Sequence, residues 1–184
     1  MSDSDAFIIS AAKDVQPAEA MRQAIQNAGM DLPRVQDVIF GLDEPRFVDT
    51  KKIMGDASLT CPTATVLSSL RAIFFAVQSI LSGDVDVVIV ASMENNVSIA
   101  MLLASPDAIG RWNLMPRARL AVRSLTGVDS ALRTAELTSS DVTIVKYGKQ
   151  GALLIKELLE ELEQKSGRWG MVAMNELALL IERI

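Results

Sequence analysis

The seven residues Val85 to Ala91 (VDVVIVA) constrain this chain more than any others, because all but Asp86 are apolar. A strand written this way has no wet face, so both its faces must be covered, as happens in a parallel sheet flanked by helices. The residues just before it supply one cover. Leu70, Ile73, Phe74, Val77, Ile80 and Leu81 recur at helical spacing, and Gly83 ends the run. A helix feeding a buried strand is half of a βαβ unit, and it predicts an α/β fold.

The same grammar extends in both directions. Ala6 to Ala11 (AFIISA) has the length of a strand; Pro17 suits a first helical position, and Ala20, Met21, Ala24, Ile25 and Ala28 keep helical spacing up to Gly29. Val35 to Gly41 reads as a strand, and Asp43 to Thr60 as a polar, irregular connection long enough to be a functional loop. In the second half, Leu120 to Leu125, Asp141 to Tyr147, Met171 to Met174 and Leu177 to Ile184 read as strands, and Asp129 to Glu136 as a short helix. Gly151 to Gln164 is a helix with Leu154, Leu158 and Leu162 on one side and acidic residues opposite. The order is β-α-β-α-β twice, the second time with a closing strand, and it predicts two sheets that share a helical layer.

Bulk properties narrow the function. With 184 residues, 49% hydrophobic and 22% charged, the chain is of globular composition and long enough for one substantial core. No run reaches the roughly 18 apolar residues of a membrane span, and the acidic opening MSDSDAFIISAAKD lacks the pattern of a secretory signal. The single cysteine, Cys61, allows no internal disulfide, so the expected setting is cytoplasmic. A net charge of -5 with scattered basic residues argues against nucleic-acid binding.

One absence is sharper than these: there is no histidine. Ser-His-Asp and Cys-His arrangements need an imidazole to take the nucleophile's proton, and a Cys/His zinc site needs both residue types in number. Chemistry here would fall to carboxylates, lysines or the lone thiol.

The residues resemble the thiolase family. AFIISAAK is similar to the opening strand of thiolases, and LPRVQDVIFG to their VDDVIxG segment. PTATVLSSLRAIFFAVQSILSGDVDVVIVASMEN is similar to the stretch from buried helix to central strand, and SIAMLLASPDAIGRW to the loop entry that follows. QGALLIKELLEELEQKSGRWGMVAMNELALLIERI resembles the C-terminal segment. The resemblance implies a layered α/β/α/β/α structure of two similar halves, residues 1–115 and 116–184, with a reduced loop region. It also implies acyl-CoA acyltransferase chemistry of the acetyl-CoA acetyltransferase and 3-ketoacyl-CoA thiolase type.

The departures point the other way. Thiolases carry a nucleophilic cysteine at the start of the buried helix; here an ungapped match puts Val66 at that place, and a gapped one deletes the position. The family's Asn-Glu-Ala-Phe and Gly-His-Pro motifs are missing, and Met174, Asn175 and Glu176 stand where its second cysteine would be. The chain is also shorter than is usual in the family. The resemblance therefore implies a fold more than an activity.

Few candidates remain for a site. Cys61 precedes Pro62, and a helix starting there would place the thiol at its cap with a lowered pKa; the plain alternative is a buried or loop thiol. Ser68 and Ser69 fall near the helix start and could hydrogen-bond an acyl carbonyl or phosphate, or else serve close packing. Glu94, Asn95 and Asn96 follow the central strand, at the end where α/β sheets place ligands, though the matching thiolase Glu is structural. Arg111, Trp112, Arg117, Arg119 and Arg123 could hold a CoA phosphate or form surface ion pairs. Lys146, Tyr147 and Lys149 stand where catalytic loops would have been. No metal site or resident cofactor is expected beyond a CoA thioester. The expected function is that of a non-catalytic subunit, in a homo- or hetero-oligomer with a thiolase-type chain. The alternatives are an acyltransferase completed by a partner chain or by Cys61, and an acyl-CoA binding module. A dimer through the strand before the buried helix is doubted, because the gapped match places its deletion there.

Overall fold

The computed structural model describes residues 5–44, 46–94, 96–121, 127–174 and 177–184, with the side chains of Pro33 and Glu94 outside that description. Strand β1 (Ala6–Asp14) leads into helix α1 (Pro17–Asn27), whose first residue is the expected proline. Next come β2 (Asp37–Leu42), α2 (Thr50–Asp56), β3 (Thr63–Leu67), the long helix α3 (Ser69–Leu81), β4 (Val87–Glu94) and β5 (Val97–Ala104). Helix α4 (Pro106–Trp112) ends this series. The second series is β6 (Ala118–Leu120), α5 (Val128–Thr134), β7 (Val142–Tyr147), α6 (Gly151–Gln164), β8 (Trp169–Met174) and β9 (Leu177–Arg183).

The strands hydrogen-bond in the order β3-β2-β4-β5-β1-β6-β9-β8-β7. Strands β3, β2 and β4 are parallel, as are β7 and β8, while β5 and β9 run antiparallel to their neighbours. The expectation of two separate sheets needs one correction. A short antiparallel pairing of Ala6, Phe7 and Ile8 with Leu120, Arg119 and Ala118 joins the two series into one nine-stranded sheet.

Burial explains the layering. Leu70, Ile73 and Val77 of α3 share one core with Ile155, Leu158 and Leu162 of α6, with Val88 and Val90 of β4, and with Leu179 and Ile181 of β9. The two helices therefore lie between the two parts of the sheet. Met21 and Ile25 of α1, with Met54 of α2 and Ile109 of α4, cover the far face of the first part; Leu132 of α5 covers the far face of the second. The result is the layered α/β/α/β/α arrangement.

Three elements are not expected from the sequence; one is helix α4, in the stretch read as a loop entry. Helix α2 lies within the stretch expected to be irregular, where Asp49 caps it by accepting from the Lys52 N–H at 2.9 Å. Strand β5, expected as a loop entry, is fully buried from Ser98 to Ala104. It returns antiparallel to β4, with Glu94 paired to Val97 and Asn96 at φ 64° in the turn.

Candidate functional site

The chain turns from β3 into α3 at Ser68. Its N–H continues the parallel pairing by donating to the Leu42 carbonyl at 2.7 Å, and its own carbonyl accepts from Ala72 N–H at 3.1 Å to start the helix. Between these two bonds the backbone bends sharply, with φ 88° and ψ 125°. That region is ordinarily left to glycine, so a serine there carries strain. The Ser68 hydroxyl adds a second cost, because its Oγ is shielded from solvent and has no hydrogen-bond partner among the described residues.

Ser69, one residue on, is fully buried and fully engaged. Its N–H donates to Asp43 Oδ1 at 2.8 Å and its hydroxyl to Asp43 Oδ2 at 2.7 Å, while the same hydroxyl accepts from Ala152 N–H at 3.1 Å. Asp43, from the end of β2, thus caps α3, and Ser69 ties α3 to the first turn of α6. Two glycines make this junction possible. A Cβ on Gly41 would stand 2.6 Å from Ser69 Cα, and one on Gly151 would stand 2.7 Å from Leu70 Cγ. Nothing local in the sequence marks Asp43, Gly41 and Gly151 for this role, since their partners lie far along the chain. Asp43→Ala should lower stability by about 2 kcal/mol by removing a cap and a charged acceptor together. A denaturant titration would show the shifted midpoint at unchanged slope, and Asp43→Asn should recover part of it.

Beside the junction lies a cavity of about 360 Å³ lined by Asp43, Glu44, Arg46, Met93, Gly148, Lys149, Gln150 and Leu154. It lies at the C-terminal ends of the parallel strands, where α/β folds hold ligands.

Cys61 is elsewhere. The expectation that it caps a helix is corrected by the strand that follows it: residues from Thr63 to Leu67 are extended, so Pro62 precedes a strand. Seven residues at about 3.3 Å each put the thiol on the order of 20 Å from Ser68. Burial first, and then the charge of Asp37, push its pKa up, the reverse of what a nucleophile needs. Alkylation of Cys61 at neutral pH should therefore be slower in the folded than in the denatured protein. Its rate should climb only at a pH above the usual thiol range, and Asp37→Asn should speed it.

The arginines are spoken for. Arg111 pairs with Asp86 at 3.0 Å and lies over the Trp112 ring, Arg117 pairs with Glu163 at 2.7 Å, and Arg119 pairs with Glu182 at 2.5 Å. None of them lines the cavity beside Ser68 and Ser69. Lys146 bonds to Glu161 on α6, Tyr147 is exposed, and Lys149 lines the cavity. Arg123, Asn95, Asn175, Glu176 and the Glu94 side chain lie outside the described residues. Among the described residues no cluster of potential metal ligands occurs, and no helix is long and apolar enough to cross a membrane.

A structure of human mitochondrial 3-ketoacyl-CoA thiolase in complex with CoA superposes with a TM-score of 0.86 over 98% of this chain and 98% of that one. The chain has the thiolase fold. Sequence identity in the superposition is 10%, so the likeness is one of architecture. No family model matches the sequence, and no curated protein matches it. The match runs over nearly all of both chains. The turn from β3 into α3 falls at Ser68, two residues beyond Val66.

Proposed function

We propose that this chain is a thiolase-fold subunit that performs no condensing chemistry of its own and acts by pairing, with a second copy or with a thiolase-type chain. The observation that carries this reading is the turn into α3. A hydroxyl stands there, the 184 residues hold no imidazole to take its proton, and the one thiol lies at the other end of β3. A serine without a base is a poor nucleophile toward a thioester.

The edge of the sheet supports the pairing. Edge strands are commonly blunted by charge, proline or irregularity, because their free N–H and C=O groups invite another strand. β7, at one end, has Lys146 and a register irregularity between Val142 and Ile144. β3, at the other end, reads TATVL without charge, proline or break, and its Leu67 is 60% exposed. Phe75, on the helix packed against β3, is 47% exposed. The strand doubted from sequence is present over five residues, so pairing through it is open to the chain. The mean hydropathy of +0.27 fits apolar surface that a partner covers.

A second reading follows from the Ser68 hydroxyl, which has no hydrogen-bond partner among the described residues: binding of a CoA thioester without turnover, as the neighbour's complex with CoA suggests. Ser69 has no hydroxyl proton left for a ligand, so Ser68 would make that contact alone. Thiolysis assays with acetoacetyl-CoA and CoA, run beside sedimentation, test both readings. A dimer without turnover is expected. Turnover by the purified chain overturns the non-catalytic reading, a monomer that captures no thiolase-type chain overturns the pairing, and saturable stabilisation by acetyl-CoA establishes the binding module.

A further inference from the structure

We infer that the groove crossing the C-terminal ends of β2 and β4 is a binding site for a free aliphatic carboxylic acid. The carboxylate is held at Arg46 and Lys149, and the hydrocarbon chain lies on the far face of the sheet. Two cavities make up the groove, and they meet at Arg46 and Met93, which line both. The inner one is the cavity of about 360 Å³ between the end of β2 and the first turn of α6. The outer one, of about 540 Å³, lies between the first turn of α1 and helix α2, on the face away from α3. Each is of the size that takes a small molecule. Arg46 stands between them, its side chain donating to the Met93 carbonyl near the end of β4.

The two cavities differ in character. Pro17, Ala18, Phe47, Val48 and Ile53 give the outer one an apolar lining that suits a hydrocarbon chain. Its other charged groups are already matched, since Lys52 pairs with Asp56 and Asp49 accepts from the Lys52 N–H to cap α2. In the inner cavity both oxygens of Asp43 accept from Ser69, and the other charged groups are Arg46, Lys149 and the exposed Glu44. No carboxylate pairs with Arg46 or Lys149 among the described residues. Two cations therefore stand where the apolar lining ends, and an anionic head on an apolar tail is the ligand whose parts match both cavities. The guanidinium fork has donors enough to keep its bond to Met93 and to grip a carboxylate as well. A thioester brings no charge to that point, so the ligand differs from the CoA thioester considered above. Ser68 lines neither cavity, and the inference does not rest on pairing.

Calorimetric titration with octanoic acid tests this, beside hexanoic and decanoic acids, octanol, octylamine and octanoyl-CoA. Saturable binding of octanoate is expected, tightening about fourfold for each added methylene group as the outer cavity fills. Arg46→Met should weaken octanoate about tenfold by removing a charged donor. Both Arg46 and Phe47 are exposed, so neither Arg46→Met nor Phe47→Ala should shift the melting temperature. Phe47→Ala should reduce the gain on lengthening the chain while leaving the preference for the acid over the alcohol. Absence of octanoate binding overturns the inference, as does equal binding of octanol or octylamine. An Arg46→Met chain that binds octanoate as the wild type does overturns the placement of the carboxylate. Tighter binding of octanoyl-CoA than of octanoate overturns the free acid as ligand.

Discussion

Gly41→Ala is expected to lower stability by about 3 kcal/mol, at the upper end of what an added methyl group costs in a packed core. The added Cβ would meet Ser69 Cα at 2.6 Å and Ala72 Cβ at 2.9 Å. The first of these is backbone and cannot rotate away, so either β2 or α3 must move. Movement of α3 would strain the bonds between Ser69, Asp43 and Ala152 as well. For a chain of this size the melting temperature should fall by roughly 6–12 °C. Gly29→Ala is a useful contrast. Nothing lies within 4 Å of its added Cβ, so its cost comes only from the positive φ of 65°, and about 1 kcal/mol is expected. Calorimetry on the two variants separates crowding from backbone preference, and equal losses would contradict the close approach of β2 to α3.

Glu182→Ala is expected to cost about 2–3 kcal/mol. Glu182 is 8% exposed, on β9, and each of its oxygens is gripped by one arginine. Arg119 donates from Nε to Oε2 at 2.7 Å, and Arg168 from Nε and a terminal nitrogen to Oε1 at 2.9 and 2.7 Å. Removing the carboxylate leaves the half-covered Arg119 with, among the described residues, only Asp5 at 3.5 Å, which is why the loss exceeds that of a surface pair. It falls short of a fully buried pair because Arg168 is largely exposed and regains water. Arg119 pairs through β6, the strand that joins the two parts of the sheet. Arg168→Ala should therefore cost under 1 kcal/mol, and Arg119→Ala clearly more. Urea denaturation of the three variants gives the ranking.

Much of the architecture was legible in the sequence because burial on both faces leaves a plain signature. The apolar run from Val85 and the leucines of α6 have one reading each, and Pro17 marks the start of α1. Strand β5 was lost for the opposite reason. Its run from Ser98 to Ala104 is as apolar as β4, but in the stretch that resembles the family it reads as a loop entry. Helix α2 has one buried residue, Met54, so periodicity had little to act on. The site was harder still. Ser68 and Ser69 were singled out, yet nothing local distinguishes a hydroxyl spent on Asp43 from one without a partner. That difference comes from residues 26 and 83 positions away. The glycines that let β2, α3 and α6 converge are equally silent, because what they need is space. The proline after Cys61 suits the start of a helix or of a strand equally, and here it precedes a strand.

The proposal that this thiolase fold carries no covalent acyl chemistry is tested most directly by intact mass. The purified chain would be incubated with acetyl-CoA and with acetoacetyl-CoA, beside Cys61→Ala and Ser68→Ala controls, and weighed by mass spectrometry. An unchanged mass is expected in every sample. An acyl adduct on the wild-type chain that disappears in either control would contradict it and would name the nucleophile.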